Sequence, residues 1–214
     1  MLVKQRMSPH PFTVSVDTPV TEALSLMRKK HIRRLPVMDK KDRLAGIVSE
    51  KDLLYASPSP ATSLSVYEIG YLLSKLKVKE VMNHDLITIT SDAPIEEAAR
   101  IMVDNKIGGL PVLEEGEMVG IITETDIFKT MLEMLGAREL GVRLTVEAPD
   151  KPGVLGLITS KIAELGGDIV ALGTFRGDDR THSIITIKVS GVDQTSLTQA
   201  MEGVSAQVVD IRES

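Results

Sequence analysis

The chain contains no cysteine and no tryptophan in 214 residues, and aromatic side chains make up only 3% of it. Without thiols, disulfides and thiolate metal centres are excluded, and a reducing compartment, the cytoplasm, is the expectation. With so few rings the cores must be packed from Ile, Leu, Val, Met and Ala. Long apolar runs are also missing: nothing approaches the roughly 18 residues that a membrane-spanning helix needs. Met1 to Arg6 lack the apolar run and cleavage site of a secretory leader, so a soluble protein is expected. A P-loop and a Gly-x-Ser-x-Gly elbow are absent, and His10, His31, His84 and His182 are scattered without ligand spacing. Neither a catalytic centre nor a metal site is therefore expected, and Asp178-Asp179 reads as a hairpin turn. A broad basic stripe, the footprint of a nucleic-acid binder, is missing too. The net charge of −5 is unevenly spread: residues 1–54 carry +5, residues 55–140 carry −7 and residues 141–214 carry −3. A basic block beside acidic remainder suits a local anion site.

What the chain does have is a repeat. Met7, Thr13, Asp17, Pro19, Glu22, Ala23, Met27, Ile32, Leu35, Pro36 and Val37 recur, 75 positions on, as Met82, Thr88, Asp92, Pro94, Glu97, Ala98, Met102, Ile107, Leu110, Pro111 and Val112. After a one-residue slip, Gly46-Ile47-Val48-Ser49-Glu50-Lys51-Asp52 recurs as Gly120-Ile121-Ile122-Thr123-Glu124-Thr125-Asp126. Each copy reads strand, helix, strand, strand, helix. Phe12, Val14 and Val16 alternate as a strand, and Asp17-Thr18-Pro19 offers caps and a first-turn proline. Val20, Ala23, Leu24 and Met27 follow at helical spacing, before a hairpin over Leu35–Met38 and Leu44–Val48. In the second copy Ile95, Ala98, Ala99 and Met102 share a helix face, and the hairpin turns at Glu115-Gly116-Glu117. Ser57 to Ser63 is a linker by composition. Val66, Ile69, Leu72, Leu73 and Leu76 then mark an amphipathic helix, read either as packing on the repeats or as a partner-binding element.

From Gly141 the pattern changes. An alternating strand at Val142–Val146 and the turn Asp150-Lys151-Pro152-Gly153 lead to a helix with Leu155, Ile158, Ile162 and Leu165 on it. A hairpin, a helix over Gln194–Met201 and a strand at Val208–Ile211 complete a βαββαβ order, which predicts a ferredoxin-like sandwich. The boundaries expected are 1–56 and 79–137 for the repeats, 57–78 for linker and amphipathic helix, and 141–214 for the third unit.

The duplicated Gly-h-h-[Ser/Thr]-x-x-Asp signature, with h apolar and Leu-Pro-Val before it, resembles a tandem pair of CBS domains, a Bateman module. Asp150-Lys151-Pro152-Gly153-Val154-Leu155 resembles the first loop of an ACT domain. The order CBS–CBS–ACT resembles the acetoin-utilisation, AcuB-like, family of regulatory proteins. The fold class implied is α+β: a tandem CBS pair followed by a ferredoxin-like ACT domain.

By that resemblance, Ser49 with Asp52 and Thr123 with Asp126 hold the ribose of an adenosine ligand, since a carboxylate accepts well from both sugar hydroxyls. The alternative is that each pair merely caps the following helix. Thr13-Val14 with Leu35-Pro36, and Thr88-Ile89 with Leu110-Pro111, match the family's adenine-reading positions. The purine would lie between aliphatic side chains. The copies diverge where His31-Ile32-Arg33-Arg34 becomes Lys106-Ile107-Gly108-Gly109. Arginine's planar fork suits phosphate, so unequal sites are expected, with a polyphosphate depending on Arg33 or Arg34. Which cleft receives them stays open, as does a plain solvated basic edge. Asp150, Pro152 and Gly153 match an amino-acid effector loop, or form only a tight turn. The resemblance implies a non-catalytic homodimeric sensor of ATP, ADP, AMP or S-adenosylmethionine, with no catalytic cofactor, acting on an unidentified target protein. An amino-acid sensor and a ligand-free oligomerisation scaffold are the alternatives.

Overall fold

The computed structural model describes residues 1–56, 75–177 and 181–213. The Ser57–Ser63 linker, most of the amphipathic helix and the turn residues Asp178 and Asp179 lie outside the described residues. The chain divides into two compact units, Met1–Ile127 and Phe128–Ser214.

The first unit holds the repeat twice. In the first copy β2 (Val14–Ser15), α1 (Val20–Lys30), β3 (Arg34–Met38), β4 (Leu44–Ser49) and α2 (Glu50–Tyr55) follow one another. In the second come β5 (Ile89–Thr90), α3 (Ile95–Asn105), β6 (Gly109–Glu114), β7 (Glu117–Thr123) and α4 (Glu124–Met134), which continues past the unit's boundary. A two-residue β1 (Ser8–Pro9) precedes both. Sheet orders are β2-β3-β4 and β1-β7-β6-β5. The first strand of each copy runs parallel to the hairpin that follows it.

Helix α1 forms because Val20, Ala23 and Met27 place one buried stripe at three- and four-residue spacing, with Arg28, Lys29 and Lys30 at its carboxyl end. The Asp17 and Thr18 side chains do not cap it. The Thr18 hydroxyl accepts from the Ser15 N–H, and Asp17 pairs with Lys79 at 2.9 Å. The first helical donor is met from afar instead: Val20 N–H donates to the Leu76 carbonyl, and in the other copy Ile95 N–H donates to the Met1 carbonyl. Both helices stop at a left-handed residue, His31 and Lys106, each with φ 54°.

Those two bonds belong to a wider exchange. Residues 1–9 complete the second copy: Val3, fully buried, enters its core with Ile89, Ala98, Leu110 and Ile122, and Ser8 pairs with Ile121. Residues 76–83 complete the first: fully buried Val78 joins Ala23, Met27, Leu35 and Val48, and Asn83 bridges to Ile47. The glycine of the repeated signature is what lets the segments cross. A Cβ on Gly120 would lie 2.5 Å from Met7 Sδ, and one on Gly46 would lie 2.6 Å from Met82 Sδ.

The second unit runs β8 (Val142–Pro149), α5 (Val154–Glu164), β9 (Asp168–Arg176), β10 (His182–Ser190), α6 (Gln194–Glu202) and β11 (Gln207–Glu213). Its antiparallel sheet has the order β11-β8-β10-β9. Val142, Leu144, Val146 and Ala148 alternate toward α5 and α6 and pack with Ile158, Ile162, Leu197 and Met201. No helix among the described residues is long and apolar enough to cross a membrane. None of their His, Asp and Glu side chains gather in a group able to hold a metal ion.

Candidate functional site

Two clefts of similar size open in the first unit, about 520 and 540 Å³. The exchange of segments decides what lines them. One takes Thr123, Glu124 and Asp126 from the second copy and Ser8–Phe12 with His31–Arg34 from the first. The other takes Ser49–Asp52 from the first copy and Asn83, Asp85, Ile87 and Lys106–Gly109 from the second, together with Arg33 and Arg34. They are named here the Asp126 and Asp52 clefts.

At the mouth of each, a hydroxyl and a carboxylate meet at a helix start. Ser49 N–H and hydroxyl donate to Asp52 Oδ2 at 2.8 and 2.6 Å, and the Asp52 N–H donates back to the hydroxyl. Thr123 N–H and hydroxyl donate to Asp126 Oδ2 at 2.9 and 2.7 Å. At Ser49 the bonds close a capping box, a contribution of about 1 kcal/mol, and at Thr123 the same two bonds to the carboxylate recur. These bonds also fix the carboxylates among the residues that line the clefts, where α2 and α4 begin. The cap bonds converge on one oxygen, and Asp52 Oδ1 makes no hydrogen bond among the described residues, so an acceptor remains for a ligand hydroxyl.

Arg33 and Arg34 line both clefts. The Arg34 guanidinium is packed against Gly108 and Gly109, their counterparts in the other copy, and lies 3.6 Å from Glu124. A Cβ on Gly108 would collide with the Arg34 guanidinium and the Glu124 carboxylate; one on Gly109 would stand 3.1 Å from Arg34 Cδ. The divergence of the repeats thus has a steric reason: two glycines in one copy clear the space that the arginine of the other fills. Because that ion pair is partly exposed, it contributes at most about 1 kcal/mol, and an entering anion can displace the glutamate.

Not every residue singled out in the sequence faces a cleft. Val14, Leu35, Pro36, Ile89, Leu110 and Pro111 are buried, and Leu35 and Leu110 are fully enclosed in their cores. These six, with Thr13 and Thr88, do not line the two clefts. The walls come instead from the segments just upstream, Ser8–Phe12 and Asn83–Ile87. Their signal in the sequence was the repeated methionine, Met7 and Met82, immediately before each. In the second unit Asp150, Pro152 and Gly153 form an exposed turn into α5. Gly153 has φ 90° while a Cβ there would meet nothing within 4 Å, so glycine answers a backbone need.

Comparison with known proteins agrees with this geometry. The CBS domain profile matches residues 3–59 and 78–133, and a TTHA0829-like ACT domain profile matches residues 140–212. A CBS domain-containing protein of Dictyostelium discoideum is 35% identical over 136 residues, 63% of this chain and 94% of that one. A Vibrio cholerae protein assigned to acetoin utilization (AcuB) superposes with a TM-score of 0.53 at 32% identity, covering 65% of this chain and 96% of that one. The CBS domain pair of protein MJ0100, solved with 5′-methylthioadenosine and S-adenosyl-L-methionine, has a TM-score of 0.51 at 28% identity, covering 61% and 99%. With two cross-built clefts and a helix-mouth acid in each, this chain belongs to the CBS-domain family, as a tandem CBS pair followed by an ACT domain.

Proposed function

We propose that this chain is a non-catalytic regulator that binds an adenosine-containing ligand in its CBS clefts, with Arg34 taking the phosphates or an equivalent anion. The carrying observation is the pairing, in each cleft, of a capped helix-mouth acid from one repeat with a cation-bearing segment from the other. Asp52 and Asp126 would accept from ribose hydroxyls, and Arg33 and Arg34 would meet the anionic end. The solved MJ0100 pair, occupied by two adenosine compounds, supports that ligand class.

Since one guanidinium borders both clefts, two polyphosphate ligands compete for it, and the clefts are unequal when both are filled. Ligand binding then shifts the protein between arrangements by no more than its differential affinity for them. The output goes to a target protein. The AcuB likeness favours acetoin or related carbon catabolism for that target. Dimerisation is part of the reading, supported by Leu54 and Tyr55, which stand 48% and 77% exposed on α2.

The test is a thermal-shift and calorimetric screen of ATP, ADP, AMP, S-adenosylmethionine and 5′-methylthioadenosine on the whole chain. A ligand at a hundred times its Kd stabilises by about 2.7 kcal/mol. Asp126→Ala and Asp52→Ala should each abolish binding at one cleft, measured from each variant's own unliganded Tm because the cap is lost as well. If no adenosine compound shifts the wild type, the reading fails.

A further inference from the structure

The second unit carries a separate cavity on the sheet face turned away from α5 and α6. Register places Arg143 of β8, Lys188 of β10 and Ala171 of β9 side by side, then Thr145, Thr186 and Gly173, then Glu147, Ile184 and Phe175. A hollow of about 120 Å³ lies over this face, lined by Arg143, Thr186 and Lys188 at one side and by Leu135, Ala171 and Phe175 at another. Lys188 is only 5% exposed. Its stem is roofed by the turn after α4, where a Cβ on Gly136 would come within 3.4 Å of Lys188 Cδ.

The charges around Lys188 do not balance. Arg143 sits directly across from it, and like charges on adjacent strands repel. The acid on this face nearest in register, Asp210, is already shared: Arg143 donates to it at 3.1 Å, and Arg212 binds it through two nitrogens. Glu147 lies beyond Thr145 on β8 and is exposed. Among the described residues the Lys188 side chain makes no hydrogen bond and no ion pair, and since no sealed side-chain nitrogen there lacks a partner, its ammonium opens on the hollow. A partly desolvated cation beside a like charge and without a counter-ion is held at a cost, and an anion that joins it lowers that cost. The Thr186 hydroxyl, 3.2 Å from that of Thr145, is placed to donate as well.

We propose that this cavity binds a small aliphatic carboxylate. Its carboxylate would lie between Lys188, Arg143 and Thr186, with a short chain against Leu135 and Phe175. At about 30 Å³ per water-sized group, the volume admits roughly four heavy atoms, and somewhat more if the chain emerges at the open edge. The apolar wall argues against inorganic phosphate, which would leave it dry and unused. The site is distinct from the CBS clefts and from the Asp150–Gly153 turn, so failure of nucleotide binding leaves it untouched.

The experiment is a titration of the ¹⁵N-labelled whole chain with acetate, propionate and butyrate, against sodium chloride, sodium phosphate and neutral butyramide. The expected result is saturable shifts of the Ala171, Gly173, Thr186 and Lys188 amides, tightest with propionate or butyrate. Lys188→Met should weaken that binding at least about tenfold, the loss of a charge-assisted contact, while its unliganded Tm equals or exceeds wild type. Arg143→Gln provides a second variant if Lys188→Met does not fold. The proposal is overturned if no carboxylate shifts these amides, if butyramide or phosphate binds as well, if the shifts map to Asp150–Gly153, or if Lys188→Met keeps full affinity.

Discussion

Gly108 shows how one residue position divides labour between the repeats. Its counterpart in the first copy is Arg33, and a side chain there would push into Arg34 and Glu124. Both obstacles are ends of flexible side chains, so Gly108→Ala should fold normally yet displace the guanidinium. The expected outcome is a threefold to tenfold (about 0.7–1.4 kcal/mol) rise in the Kd for ATP, read by calorimetry. Arg34→Gln should produce a loss of the same size or larger, and the double variant should add little to it, because both changes remove one contact. The sequence made the Arg/Gly asymmetry visible and tied it to phosphate. It left open which cleft gains the arginines, and the structure shows Arg34 at the wall of both. That could not be read from the chain, because repeat alignment states which positions are equivalent and not which copy each one touches. Leu35 and Leu110 illustrate a second limit. They sit on the middle strands of their sheets with both faces covered, where a continuous apolar run gives no sign of which side chains meet solvent.

At the scale of elements, the β3–β4 hairpin is tied by a single acid. Asp39 accepts from the Lys41 and Arg43 N–H groups through Oδ1 and from the Arg43 guanidinium through Oδ2. These bonds, led by the Arg43 N–H and then its guanidinium, lower the carboxyl from 3.8 to about 2. A depressed carboxyl contributes stability that is complete above the unfolded value and is lost as pH falls toward the folded one. Asp39→Asn should therefore lower the Tm at pH 7 and flatten its decline between about pH 4 and about pH 2, checked by circular dichroism melts. The turn was legible from Asp39–Arg43 as a charged stretch between apolar strands. The helix starts were less so: Asp17 and Thr18 look like caps in the sequence, but the Leu76 and Met1 carbonyls approach the first turns and free those side chains for other bonds. An acceptor 56 residues away in sequence, as Leu76 is from Val20, leaves no local signal.

For the molecule as a whole, the exchange makes the two repeats one cooperative body. Val3→Ala and Val78→Ala, each at a fully buried site in the core of the repeat it does not immediately precede, should cost roughly 1–3 kcal/mol from lost burial and the cavity left behind. Denaturant melts followed by a probe in either repeat should shift together; separate transitions would contradict the coupling. The exchange also orders events during synthesis. Residues 14–82 contain the first core entire, and it can close while the ribosome is still translating. Val3 and Ser8 have nowhere to dock until Ile121 and Ile122 have emerged. Residues 1–9, made before either core, are thus among the last to settle, and the Asp126 cleft, which needs Ser8–Phe12 for a wall, is completed only after the Asp52 cleft's hydroxyl and acid are already in place.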